Sequence, residues 1–170
     1  TRELYAGDQV VVYYPGASKI MTAQGNNGKL NAADAALSED GTLETKGTDA
    51  VVLTVGLDEN GNYSFKTADD KYLTIDLVQK ESNGKTKTYA NLVFNDTLTD
   101  NGLWTEQAVD DTNSGKFYLK NSFAKVGSSQ QALEYYSGFS AYGFKEDPIY
   151  AFNFYALAEG EKTVQLEYED

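Results

Sequence analysis

Five aromatic rings, Tyr135, Tyr136, Phe139, Tyr142 and Phe144, fall within the segment Leu133–Glu146. Read as a strand, Leu133 and Tyr135 take one face and Glu134 and Tyr136 the other. Ser137-Gly138 supplies a tight turn, and Tyr142 and Phe144 share a face on the return strand. Such a hairpin carries more aromatic surface than one side of a core requires. Rings beside Glu134, Ser140 and Lys145 offer the chemistry of sugar recognition. A flat apolar face stacks on C–H groups, and fixed polar groups read hydroxyls. Leu133 is the better core anchor, which turns Glu134 and Tyr136 toward solvent. The candidates are therefore Tyr136 and Tyr142 as rings, with Glu134 and Lys145 as flanking hydrogen-bonding groups. A register slip of one residue exchanges the two faces, so Tyr135 and Phe139 stand in reserve. The competing reading is a Tyr-rich core and strand surface, since Tyr favours strands.

Other constellations point elsewhere. The chain has no Cys and no His. That removes thiol nucleophiles, disulfides, the usual general base and the commonest transition-metal ligand. Asp58-Glu59-Asn60-Gly61-Asn62 spaces oxygen ligands as a calcium loop begins, but lacks the closing bidentate Glu, and reads as a hairpin turn. Two carboxylates at the right separation hydrolyse glycosides. With 26 acids, however, chance pairs are unavoidable, and no segment marks a particular two. No catalytic residue, metal site or cofactor is expected.

A net charge of −12 repels phosphate backbones and anionic lipid, so nucleic acid is excluded as a partner. No apolar run is long enough to insert in a membrane as a helix. The 170 residues suit one domain spanning 1–170, and the abrupt start at Thr1 suggests a piece of a larger protein.

The elements that must position these groups are strands. Helix signals are weak, the one candidate being the short Ala-rich piece Asn31 to Leu37. β-branched and aromatic runs separated by Gly, Asn, Asp and Ser predict strands over 9–14, 19–23, 51–57, 63–67, 72–76, 88–94, 103–109, 116–121, 132–136, 140–144 and 150–157. A C-terminal strand over 163–168 and a weaker one within 30–43 complete the set. Three segments repeat one order of strands, their opening strands starting roughly 53 residues apart. The closing strands align Val52, Trp104 and Phe152, so Trp104 reads as core. Polar turns at 58–62 and 110–115 join one unit to the next. Three units of four strands resemble a β-trefoil, which implies six strands in a closed barrel and six in hairpins. A β-sandwich or jelly roll with accidental periodicity is the alternative.

The run 115–121, then 132–142, then 150–155, with Gly7–Tyr13 near the start, resembles accessory domains of secreted multidomain hydrolases from anaerobic Gram-positive bacteria. The resemblance implies an extracellular module, monomeric within a longer chain, that serves a glycan- or nucleotide-processing enzyme. None of the three units carries the Gln-x-Trp signature of ricin-type sugar-binding trefoils, so no ligand residues transfer from them. Two functions follow as expectations: a carbohydrate-binding module that holds its secreted parent enzyme on a glycan, or a protein-binding or structural spacer domain of a surface-anchored protein. A Tyr-lined cleft of sugar size favours the first, and a broad flat apolar patch the second.

Overall fold

Alternating apolar residues and short polar turns give this chain strands throughout. The computed structural model describes residues 4–109, 115–157 and the backbone of 162–166. In chain order its strands are β1 (Gln9–Tyr14), β2 (Lys19–Gln24), β3 (Leu30–Asp34), β4 (Leu43–Glu44), β5 (Leu53–Leu57), β6 (Tyr63–Lys66) and β7 (Tyr72–Ser82). There follow β8 (Lys85–Asn95), β9 (Trp104–Ala108), β10 (Phe117–Val126), β11 (Ser129–Tyr135), β12 (Phe139–Gly143), β13 (Ala151–Leu157) and β14 (Lys162–Leu166). The Ala-rich piece at 31–37 is mostly strand β3, not helix. Among the described residues no helix is long and apolar enough to cross a membrane.

Antiparallel pairing runs β1–β5–β6–β9–β10–β13 and returns from β13 to β1, which closes a six-stranded barrel. The remaining strands of the three units pair as hairpins β2–β3, β7–β8 and β11–β12. This is a β-trefoil. A sandwich would leave sheet edges open, whereas ring closure removes them.

The repeat holds residue by residue. Val10 pairs with Leu53, Tyr63 with Trp104 and Phe117 with Phe152. Three residues further on, Tyr13 pairs with Ile20, Lys66 with Tyr72 and Lys120 with Ala132. Counting from these pairs, Met21, Leu73 and Leu133 are equivalent, as are Leu30, Leu92 and Phe139, and all six are fully buried. Leu53, Trp104 and Phe152 are also fully buried, in one core cluster. The predicted alignment was therefore one residue out in the first unit. Val52 is half-buried and packs against a separate cluster around Val11 and Ile20. It belongs to the opposite face from Leu53, because a strand turns alternate side chains to opposite sides. Trp104 satisfies its one polar atom by donating from Nε1 to the Leu73 carbonyl, 3.0 Å away.

The second hairpin is longer than its sisters, and longer than predicted. Strands β7 and β8 pair without interruption from Tyr72↔Asn95 to Ser82↔Lys85. Asn83 and Gly84 close it with φ of 52° and 76°, the two-residue turn whose twist matches a β-ribbon. The turn at 58–62 is a hairpin turn too. The Asp58 carboxylate accepts from the backbone N–H of Asn60 and Asn62, and these bonds hold its pKa below the usual carboxylate range. The joint at 110–115 lies outside the described residues except for Gly115.

Candidate functional site

The β11–β12 hairpin sorts its side chains by alternation. Tyr135 pairs with Phe139, Glu134 with Ser140 and Ala132 with Tyr142. The turn Tyr136-Ser137-Gly138 is closed by the Tyr136 N–H donating to the Gly138 carbonyl at 2.9 Å. Gly138 has φ of 129°, and a Cβ there would sit 3.2 Å from the Leu30 carbonyl oxygen. Leu133 and Phe139 enter the core. Glu134, Tyr136, Ser140 and Tyr142 share the opposite face, where they line a groove of about 650 Å³. Lys145 also lines it. The volume is that of a small-molecule site.

The structure thus brings together Glu134, Tyr136, Tyr142 and Lys145. Tyr136 and Tyr142 expose 68% and 61% of their surface, so both rings are accessible to a ligand. The reserve pair lies elsewhere. Phe139 is fully buried, and Tyr135 stacks on Tyr14 with ring centroids 4.5 Å apart. Tyr135 does not line this groove, although it lines a neighbouring cavity.

Glu134 corrects the expectation of a solvent-facing acid, being only 8% exposed. Ser140 and Tyr150 cover it. Ser140 Oγ donates to Glu134 Oε1 at 3.1 Å, and the Tyr150 hydroxyl is within hydrogen-bonding reach. Its single O–H donates to the Gly143 carbonyl at 2.6 Å. Burial pushes the Glu134 carboxyl pKa up, while Ser140, the Lys29 charge and Tyr150 pull it partly back. The Tyr150 phenol is pushed up to about 12, by burial first and then by the negative charges of Glu134 and Asp147. It therefore stays a neutral donor. By the repeat, Glu134 occupies the place of Thr22 and Thr74, both buried. Thr74 satisfies its own hydroxyl on the Tyr72 carbonyl at 2.8 Å. The third unit has replaced a small hydroxyl with a carboxyl group that opens on a groove.

The other walls come from the other two units. The turn between β2 and β3 reaches across to β8, where the Gly28 carbonyl accepts from Leu92 N–H at 2.9 Å. Gln24 Oε1 accepts from Phe94 N–H at 3.0 Å. Gly28 has φ of 75°, a backbone conformation that favours glycine, and a Cβ there would lie 2.2 Å from the Asn91 amide oxygen, so a side chain would strain the turn and displace Asn91. Lys29 then spans to the third unit. Its ammonium donates to the Tyr136 carbonyl and sits 5.2 Å from the centroid of that ring. Tyr89 of β8, 40% exposed, lines the groove with the ammonium groups of Lys80 and Lys87 over its ring at 5.5 and 5.2 Å. Lys29, Lys87, Tyr89 and Asn91 lie far from the hairpin in sequence, and hairpin periodicity alone does not find them. Asn27 and Gly28, in the polar loop at 24–28, also line the groove.

Solved structures share this fold, two of them over nearly the whole chain. The chain is similar to the BEL β-trefoil in its apo crystal form 3, with a TM-score of 0.56 and 10% sequence identity, over 91% of this chain and 96% of that one. It is also similar to SeviL bound to asialo-GM1 saccharide, with a TM-score of 0.51 and 14% identity, over 96% of this chain and 99% of that one. At these identities the likeness is one of fold. No family model and no curated protein matches the sequence.

Proposed function

We propose that the domain is a non-catalytic carbohydrate-binding module and that this groove is its site. The observation that carries the reading is a desolvated carboxyl group, Glu134, flanked by the exposed rings of Tyr136 and Tyr142 in a groove of about 650 Å³. The rings stack on the C–H face of a sugar. Glu134 accepts hydrogen bonds from its hydroxyls, and Lys145 donates at the rim. The Ser140 bond leaves lone pairs on Glu134 open for a ligand. SeviL, of similar fold, carries a saccharide, which supports the same use of the scaffold here. The competing reading, a protein-binding or spacer domain, calls for a broad flat apolar face. Among the described residues, three of the five exposed aromatic rings, Tyr89, Tyr136 and Tyr142, line a concave groove instead.

In this reading the domain is extracellular and is one module of a secreted hydrolase chain. It holds the enzyme near a polymeric substrate through effective concentration and leaves the chemistry to its neighbour. Ring stacking and a few hydrogen bonds correspond to a modest affinity, about 10⁻⁴ to 10⁻³ M. A glycan array probed with the isolated domain and with Tyr136→Ala tests the proposal. Binding to a defined glycan class by the wild type, and its loss in the variant, is the expected result. An array without binding, or binding untouched by the substitution, removes the groove as a glycan site.

A further inference from the structure

The groove has a neighbour. A second cavity of about 470 Å³ is lined by Asn26, Asn27, Asn31, Tyr135, Ser137 and Gly138, with Lys29, Leu30 and Ala32 completing it. Asn27 and Lys29 line both cavities. The turn of the third hairpin divides its residues between them, with Tyr136 facing the groove and Tyr135, Ser137 and Gly138 the second cavity. Lys29 bonded to the Tyr136 carbonyl is therefore a sill between two hollows. The two differ in chemistry. The groove presents the Tyr136, Tyr142 and Tyr89 rings, whereas the second cavity is lined by three side-chain amides, the Ser137 hydroxyl and one ring, Tyr135. Amides both donate and accept, which suits the hydroxyls and acetamido groups along a sugar chain.

Building on the glycan reading, we infer that the domain recognises a linear oligosaccharide that crosses the Lys29–Tyr136 sill. One sugar stacks in the groove, and the next lies in the amide-lined cavity. Both volumes fall within the range of small-molecule sites. A glycosidic link holds adjacent sugars at a short, fixed separation, so occupancy of the first hollow makes the second contact intramolecular. Affinity must then rise with chain length in one step, when the ligand becomes long enough to fill both hollows. The sill is firm. Leu30, beside Lys29, is fully buried and pairs with Phe139, and Gly28 is clamped to β8.

Calorimetric titration with chito-, xylo- and β-1,4-galacto-oligosaccharides, each from monosaccharide to hexasaccharide, tests the inference. In the series that binds, we expect affinity to rise roughly tenfold or more between the monosaccharide and the trisaccharide, then level off. In Asn31→Ala that ratio should fall to about one. Asn31 is exposed, so thermal melts should show the variant folded, and Asn26→Ala provides a second probe of the same cavity. Affinity independent of length, or a length gain that survives both substitutions, overturns the two-hollow site and leaves the groove reading standing. A wild-type domain that binds no member of any series and no glycan on the array overturns both.

Discussion

Thr22, Thr74 and Glu134 occupy one place in the fold three times over, and only the third is ionisable. Leu53, Trp104 and Phe152 also occupy one place, and all three are apolar and fully buried. The difference separates what holds the barrel from the proposed glycan site. Core positions vary in size but keep their character, because each must fill the same space without a polar group. At the Glu134 position the other two units keep a small hydroxyl, and the third carries an ionisable carboxyl group. Ser140 and Tyr150 compensate for the buried carboxyl group, and the exposed rings of Tyr136 and Tyr142 stand beside it. Divergence from pseudo-symmetry is thus a pointer to the site.

The largest effects should come from the core triad. Trp104→Ala removes a fully buried ring and its bond to Leu73, and should destabilise the domain by about 3–5 kcal/mol in urea unfolding. Leu53→Ala should lose about 2–5 kcal/mol, and Val52→Ala distinctly less, because Val52 is half-buried outside the main cluster. Equal losses at 52 and 53 would break the register that makes Leu53 the partner of Trp104 and Phe152.

The site rings should behave oppositely. Tyr136→Ala and Tyr142→Ala should each weaken glycan binding by about 1–3 kcal/mol. Their stability should stay within about 0.5 kcal/mol of wild type, as expected of exposed side chains. A large loss of stability in either would return that ring to the core.

The smallest effect concerns Glu134 and pH. Its pKa is raised in the folded domain, so the folded state holds the proton more tightly than the unfolded one. Stability is full below the ordinary carboxylate pKa and falls as pH rises through the raised value. Glu134→Gln should flatten that decline and melt higher than wild type at neutral pH. Melts from about pH 4 to 7 on both proteins check this. A steeper decline in the variant would mean that the carboxylate is stabilised where it sits.

Much of this was legible from the chain. Alternation placed Leu133 inward and Tyr136 and Tyr142 outward, because a strand leaves only two faces to choose from. Strand order exposed the three-fold repeat, yet Val52 and Leu53 are adjacent apolar residues, and only pairing with Val10 identifies which one faces the core. The length of the second hairpin was missed, with strands expected only over 72–76 and 88–94, because polar residues around Asn83-Gly84 break the apolar pattern that marks a strand. Burial of Glu134 could not be read locally, since its cover includes Tyr150, sixteen residues on. Lys29 and Tyr89 join the groove through contacts between units, which no single-segment pattern contains.

The central claim is that the glycan binds in the groove centred on the third unit's hairpin, and amide chemical-shift mapping tests it most directly. A ¹⁵N-labelled domain titrated with the strongest glycan from the array should show its largest perturbations at Glu134, Tyr136, Ser140 and Tyr142, extending to Lys29 and Asn91 across the groove. Shifts centred on the sister positions Thr22 or Thr74, or spread evenly over all three units, would contradict the account.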